Sequence, residues 1–286
     1  MTASLGVLFP GLFVLLWSTG FIGAKLGLPY AEPATFLVLR FLLVLAILLP
    51  LCWLSAARWP TPRGVFHMAV AGALLQGGYL GGVFTSLHLG MPAGVSALVT
   101  GLQPVVTAVI GGWLLGERTR ARQWMGLALG LLGVVLVVWD RIAVERLGAA
   151  PISFAVLALI SISLGMVWQK RHGSGVDLRT GAAIQFIAAT ALLAPFAYAL
   201  ESREVQWTGE FVFALAWLVL VLSLGAIFLL LYLIRLGAAT RVASLFYLVP
   251  PTTALMAWPL FGETYTPAAA LGMGLGMLAV WMVTQK

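Results

Sequence analysis

Apolar runs of membrane-spanning length recur from one end of this chain to the other, and nothing else in the sequence limits the fold as tightly. They fall at about 5–24, 34–55, 64–88, 93–115, 121–139, 152–170, 179–200, 210–235, 239–261 and 267–284, separated by short polar or proline-bearing breaks. A helix needs about 20 apolar residues to cross a bilayer. Ten such helices use roughly 200 of the 286 residues and leave about 86 for nine loops and two tails. No soluble domain fits in that remainder. With 62% hydrophobic and only 9% charged residues, the chain lacks the polar side chains to cover a water-facing surface. A soluble enzyme, a nucleic-acid-binding module and a disordered protein are excluded. The runs are continuous rather than alternating, which excludes a β-barrel. The expected fold class is an all-α integral membrane protein with ten transmembrane helices. The first run lacks a basic leading segment and is long enough to span, so it reads as the first helix rather than a signal peptide.

The net charge of +7 is a topology signal. With the N-terminus inside, the inner loops and tail hold 11 basic residues: Arg58, Arg63, Arg118, Arg120, Arg122, Lys170, Arg171, Arg179, Arg235, Arg241 and Lys286. The outer loops hold four, Lys25, Arg141, Arg146 and Arg203. This excess in short loops predicts an inner (plasma) membrane protein with both termini cytoplasmic. The one cysteine, Cys52, cannot form an internal disulfide.

The sequence repeats internally. An offset of 146 maps Pro104 onto Pro250, Thr107 onto Thr253, Gly116-Glu117 onto Gly262-Glu263, Gly126 onto Gly272 and Gly130 onto Gly276. An offset of 145 aligns Phe41 with Phe186 and Pro50 with Pro195, and 151 aligns Trp17 with Trp168. Five spans per half is an odd number, so the halves enter the membrane in opposite senses. Inverted repeats of this kind build secondary transporters. The two repeats are expected at 1–140 and 151–286, packed as one transport domain.

These features resemble the drug/metabolite transporter superfamily, specifically its EamA-type ten-helix exporters. The resemblance rests on Leu16-Trp17-Ser18-Thr19-Gly20-Phe21 with Lys25 beyond, Pro33-Ala34-Thr35-Phe36 leading to Leu39-Arg40-Phe41, and Gln103-Pro104 leading to Leu115-Gly116-Glu117-Arg118. The second copy carries Pro250-Pro251 and Phe261-Gly262-Glu263, and departs by placing Gln185 where the first has Arg40. The resemblance implies export of amino acids and related metabolites. It also implies a central cavity surrounded by helices one, three, four, six, eight and nine, with five and ten in support.

Polar and aromatic stripes mark candidate cavity walls. Ser96, Thr100, Gln103 and Thr107 share one helix face. Trp17 stands with Phe13 and Phe21, and Ser18 lies beside them. Gln76 and Tyr79 are one turn apart. Trp168, with Gln169, and Tyr247, with Ser244 and Pro251, supply the second half. The candidate substrate-binding residues are therefore Trp17, Ser18, Gln76, Tyr79, Thr100, Gln103, Trp168 and Tyr247. The competing reading is helix-to-helix hydrogen bonding for the polar groups and lipid or interfacial contact for the aromatics. Arg40 is the one basic residue inside a span, costly unless it faces protein or a wet cavity. It reads as a gating or structural residue, with a substrate-carboxylate contact or snorkelling to the outer interface as alternatives. Glu117 and Glu263 are read as structural, each stabilised by the N-terminus of the helix that follows it. Pro104 and Pro250 are expected to bend or loosen their helices. The glycines at Gly77, Gly78, Gly81, Gly82, Gly126 and Gly130 have the spacing of close helix packing.

The function expected is secondary transport: export of small neutral, hydrophobic or aromatic amino acids by alternating access, with no cofactor and no metal. The partners are a small-molecule substrate and membrane lipid, and the chain is a monomer or weak oligomer. Protons are the candidate coupling ion, through His88 or a terminal glutamate. Other solutes such as drugs or nucleosides are an alternative cargo. An intramembrane enzyme is a disfavoured alternative. Asp140 and Asp177 stand in separate loops, unlike a paired diphosphate site, and no nucleophile motif supports Ser96 with His88.

Overall fold

The computed structural model describes residues 2–103, 105–107, 110, 121–145, 148–226 and 248–284. Within them the chain is all-helical. In chain order the helices are α1 (Thr2–Gly27), α2 (Pro33–Leu54), α3 (Pro62–His88), α4 (Ala93–Gly101), α5 (Ala121–Glu145), α6 (Ala149–His172), α7 (Leu178–Leu200), α8 (Gly209–Ala226), α9 (Val249–Phe261) and α10 (Pro267–Thr284). Among the described residues, α2, α3, α6, α7 and α8 are long and apolar enough to cross a membrane. Shorter apolar stretches lie at Gly11–Gly27, Ala93–Thr107, Trp124–Leu136 and Pro267–Ala279. Pro104, Glu117 and Tyr247, all candidates above, fall outside the described residues.

Helix starts follow local chemistry. Pro33 and Pro62 open α2 and α3, where a missing N–H costs nothing. Asp177 and Thr208 cap α7 and α8, accepting from the Arg179 N–H at 2.9 Å and the Phe211 N–H at 3.2 Å. Pro250 occupies the first turn of α9 as described, so the bend expected there is not seen within that helix. α5 runs to Glu145, further than the apolar run ending near residue 139 suggests. No proline or glycine interrupts it before Gly148, and intrahelical hydrogen bonds carry the helix through its polar end.

Among the described residues, π-helical turns occur at Ala73–Gly78 within α3 and at Trp217–Ala226, the last described stretch of α8. In the first, the Tyr79 N–H reaches back five residues to the Leu74 carbonyl. The extra residue rotates everything beyond it by about 100°. Shifted by 146, the first interval lands on 219–224, inside the second.

The packing partners also come in matched pairs. α1 packs on α8 and α9, while α6 packs on α3 and α4; α2 meets α7, α4 meets α9, and α5 meets α10. Exchanging helices one to five with six to ten leaves these pairings unchanged. Phe41 and Phe186, aligned by the 145 offset, touch with ring centroids 5.4 Å apart. The close approaches use glycine, as the spacing predicts for Gly82, where a Cβ would lie 2.6 Å from the Phe154 carbonyl oxygen; Gly133, which the spacing did not single out, is as tight, its Cβ position 2.5 Å from the Gly272 carbonyl oxygen.

Candidate functional site

A small cavity lies where the halves meet, lined by Trp17 and Phe21 from α1, Tyr79 from α3, Ala97, Thr100 and Gly101 from α4, Gln103 just beyond it, Ile162 from α6 and Val249 from α9. Its walls are aromatic and aliphatic, with the Thr100 hydroxyl and the Gln103 amide as polar points. At about 10 Å³ it holds roughly one water. The helices must part before any solute larger than water can enter.

Local structure explains the lining. The Thr100 hydroxyl donates to the Ser96 carbonyl at 2.8 Å, so it stays folded onto its own helix. Ser18 is fully buried behind the wall and donates to the Val14 carbonyl at 2.8 Å and to that of Val249 at 3.4 Å, joining α1 to α9. Trp217 donates its indole N–H to the Thr19 hydroxyl at 2.9 Å, holding α8 against the far side of α1. α8 itself is absent from the described lining.

The structure brings Trp17, Tyr79, Thr100 and Gln103 together, with Ser18 in support. Gln76 and Trp168 do not join them. The π-turn between Gln76 and Tyr79 breaks the spacing that would have put both on one face. Trp168 lies at the other end of α6, where its indole N–H donates to the His67 carbonyl at 3.2 Å. There His67 and His172 stack with centroids 4.0 Å apart and planes at 14°, and Trp168 packs on both rings. This cluster ties the start of α3 to the end of α6. Ser96 pairs with the Ser86 hydroxyl at 3.3 Å, not with a histidine. The aliphatic lining, Ala97, Gly101, Ile162 and Val249, carried no sequence signal, since such residues fill every helix face here.

Arg40 is 6% exposed and donates from Nε and Nη2 to the Ser223 hydroxyl of α8 at 3.1 and 2.9 Å. The side chain is held against α8 within the protein. Of the guanidinium's five donors, two are taken by this one neutral hydroxyl.

The opposite end from the histidine stack is closed by polar clasps. Glu263 takes the Lys25 ammonium and the Tyr265 hydroxyl, together with the Ala93 N–H at 2.7 Å and the Gly94 N–H at 3.4 Å. It therefore caps α4, not the α10 that follows it as the sequence suggested. The bundle brings the end of α9 beside the start of α4, and that non-local N-terminus is the nearer one. Burial raises the Glu263 pKa, but hydrogen bonds from Lys25, Tyr265 and the Ala93 N–H outweigh it and hold the carboxyl below its usual range. Beside this clasp, Glu201 accepts the Ala34 and Thr35 N–H groups and the Thr35 hydroxyl, each at 2.7 Å. Glu32 accepts the Ser202 N–H and hydroxyl at 2.6 Å.

Comparison with known proteins agrees with this architecture. The sequence profile of the EamA-like transporter family matches residues 4–139 and again 149–285. The chain is 28% identical over 280 residues to the uncharacterized inner membrane transporter YedA of Escherichia coli K12, covering 97% of this chain and 90% of that one. It is 25% identical over 283 residues to a probable amino-acid metabolite efflux pump of Salmonella typhimurium LT2, covering 95% and 92%. A crystal structure described only as that of a protein superposes with a TM-score of 0.66 at 23% identity, over 99% of this chain and 98% of that one, a likeness of fold.

Proposed function

This chain belongs to the EamA-like transporter family, and from that premise we propose that it exports small neutral amino acids, hydrophobic or aromatic above all, by alternating access. The observation that carries the proposal is the cavity: apolar and aromatic walls with two polar points, drawn from α1, α3 and α4 of one half and α6 and α9 of the other. An apolar side chain is stabilised against Trp17, Phe21 and Ile162, while Gln103 and Tyr79 orient a polar end. A central site shared by two repeats is where transporters of inverted build bind cargo. The efflux-pump relative is described as acting on amino-acid metabolites.

The proposal includes the architecture. Residues 1–140 and 151–286 are two inverted repeats of five membrane helices, with both termini in the cytoplasm. Support comes from the paired packing, the matched π-turns, the Phe41–Phe186 contact and the basic bias of the inner loops. The two closed ends supply the gates: the Lys25–Glu263–Ala93 clasp outside and the His67–Trp168–His172 stack inside. Alternating access needs them to open in turn. An inner membrane location follows from the same bias, and the YedA relative is named for that membrane.

The test is counterflow exchange by the purified protein in liposomes, against L-phenylalanine, L-tryptophan, L-leucine, L-glutamate, L-lysine and uridine. Saturable exchange of the first three above protein-free liposomes is expected. Exchange of uridine alone, or of none, would overturn the proposal.

A further inference from the structure

Arg40 is a buried cation without a buried anion. Among the described residues its hydrogen-bond partner is the neutral Ser223 hydroxyl, and no carboxylate lies within ion-pair distance. The described carboxylates are engaged at helix ends or stand in loops. Glu263 holds Lys25, Asp177 holds Arg179, Glu201 caps α2, Glu32 takes Ser202, Glu210 takes Tyr30, and Glu204 lies in the exposed segment before α8. A guanidinium has five donors, and the bonds to Ser223 use two. Keeping that charge in the bilayer interior is costly unless something compensates it.

α2 packs both on the Tyr79–His88 stretch of α3 and on the Trp217–Ala226 stretch of α8, which brings the charge to the Tyr79 side of the cavity. Arg40 and Tyr79 interact electrostatically, and the Trp17 side chain hydrogen-bonds to the Tyr79 hydroxyl. Tyr79 and Trp17 both line the cavity. A polar chain thus runs from Ser223 through Arg40 and Tyr79 to Trp17, apart from the polar points at Thr100 and Gln103.

The fold does not require the charge. The offset that aligns Phe41 with Phe186 places Gln185 at the position matching Arg40. Gln185 is neutral and donates its side-chain amide to Gln169 of α6 at 3.1 Å. One repeat holds an amide here and the other a guanidinium, so the cation belongs to one end of the site and not to the helix packing shared by both.

We infer that Arg40 is the substrate's anion receptor: the transported molecule carries a carboxylate, seated at the Tyr79 end of the cavity and neutralised by Arg40. This rests on the amino-acid export reading and adds to it that the carboxylate is the obligatory group. Decarboxylated or amidated analogues with the same side chain are rejected. The Tyr79 hydroxyl donates to the carboxylate, and the aromatic walls take the side chain.

The experiment compares L-phenylalanine, L-phenylalaninamide and phenethylamine as counterflow competitors in liposomes holding wild type, Arg40→Lys or Arg40→Gln. Fold and quantity are matched by size-exclusion profile and melting temperature. Wild type is expected to favour phenylalanine over both analogues by on the order of a hundredfold. Arg40→Gln loses that discrimination by weakening phenylalanine alone, and Arg40→Lys recovers part of it. Should Arg40→Gln fail to fold, the wild-type preference and the lysine variant carry the decision. Equal handling of acid and amide by wild type overturns the inference while leaving amino-acid export standing, as does undiminished discrimination in Arg40→Gln. Failure of wild type to exchange any of the three overturns both.

Discussion

Tyr79 stands where three requirements meet. It closes the π-turn of α3, lines the cavity with its ring, and presents its hydroxyl to Trp17 and Arg40. Removing that ring takes away a large buried contact worth about 1–3 kcal/mol, or roughly tenfold to a hundredfold in affinity. Tyr79→Ala should therefore raise the KM for phenylalanine by that factor while leaving expression and monodispersity intact. Trp168 is predicted to behave differently, because it packs on His67 and His172 and not on the cavity. Trp168→Ala should leave the KM within about threefold, equivalent to about 0.65 kcal/mol, and change the maximal rate, since its contacts are with the histidine stack. A tenfold KM increase for Trp168→Ala, measured beside Tyr79→Ala in liposomes, would contradict this division. From sequence these two aromatics look alike. Facing direction is a tertiary property, and in a chain apolar on nearly every side periodicity does not reveal it. The Thr100 and Gln103 stripe was legible because polar groups are rare enough here to mark a face.

At the scale of elements, most helix limits followed from the apolar runs and the prolines and caps that bound them: α2 begins at Pro33, α7 at Leu178 after Asp177, and α10 at Pro267. The π-turns were not legible, because an extra residue in a helix leaves its hydrophobicity unchanged. The target of Glu263 was not legible either, because the N-terminus it caps is 170 residues away. That clasp gives a prediction with a definite sign. The folded pKa of Glu263 is depressed, so its stabilisation is complete above the ordinary glutamate range and is lost as the pH falls through the lowered folded value. Above the ordinary glutamate range Glu263→Gln should loosen the α1–α4–α9 corner by on the order of 2 kcal/mol, between the limits for exposed and buried pairs, and below the lowered folded value it should make little difference. The acid-dependent part of the melting curve, measured in detergent between pH 3 and 6, should shrink in this variant; an unchanged curve contradicts the clasp. The α3–α6 contact gives another. Gly82→Ala forces a Cβ to 2.6 Å from the Phe154 carbonyl, whereas Gly274 has nothing within 4 Å of its Cβ position. Gly82→Ala should lower the melting temperature by several degrees, about 2–4 °C for each kcal/mol lost. Gly274→Ala should leave it unchanged or raise it slightly. Equal effects would mean that the two helices do not approach this closely.

For the whole molecule, exchanging helices one to five with six to ten accounts for the packing pairs, and under the export reading the differences between the two sets supply its direction and chemistry. One end is fastened by charge and helix caps, the other by stacked aromatic and imidazole rings. Arg40 on α2 reaches across to Ser223 on α8, while Gln185 on α7 faces Gln169 on the neighbouring α6. Under the proposed alternating access, the paired contacts supply two conformations of similar energy, and the unequal clasps let pH and cargo bias them separately. The central claim is that the cavity between Trp17, Tyr79, Thr100 and Gln103 is a substrate site reached from either side in turn. Thiol accessibility measures this directly, since Cys52 is the one native cysteine and is buried. Thr100→Cys is placed in a Cys52→Ala background and labelled with a membrane-impermeant maleimide in right-side-out and in inside-out vesicles. Labelling is predicted from both sides, with L-phenylalanine slowing it on each and Glu263→Gln accelerating it from the side of the Lys25 clasp alone. Access from a single side in every variant, or labelling indifferent to L-phenylalanine, would contradict it.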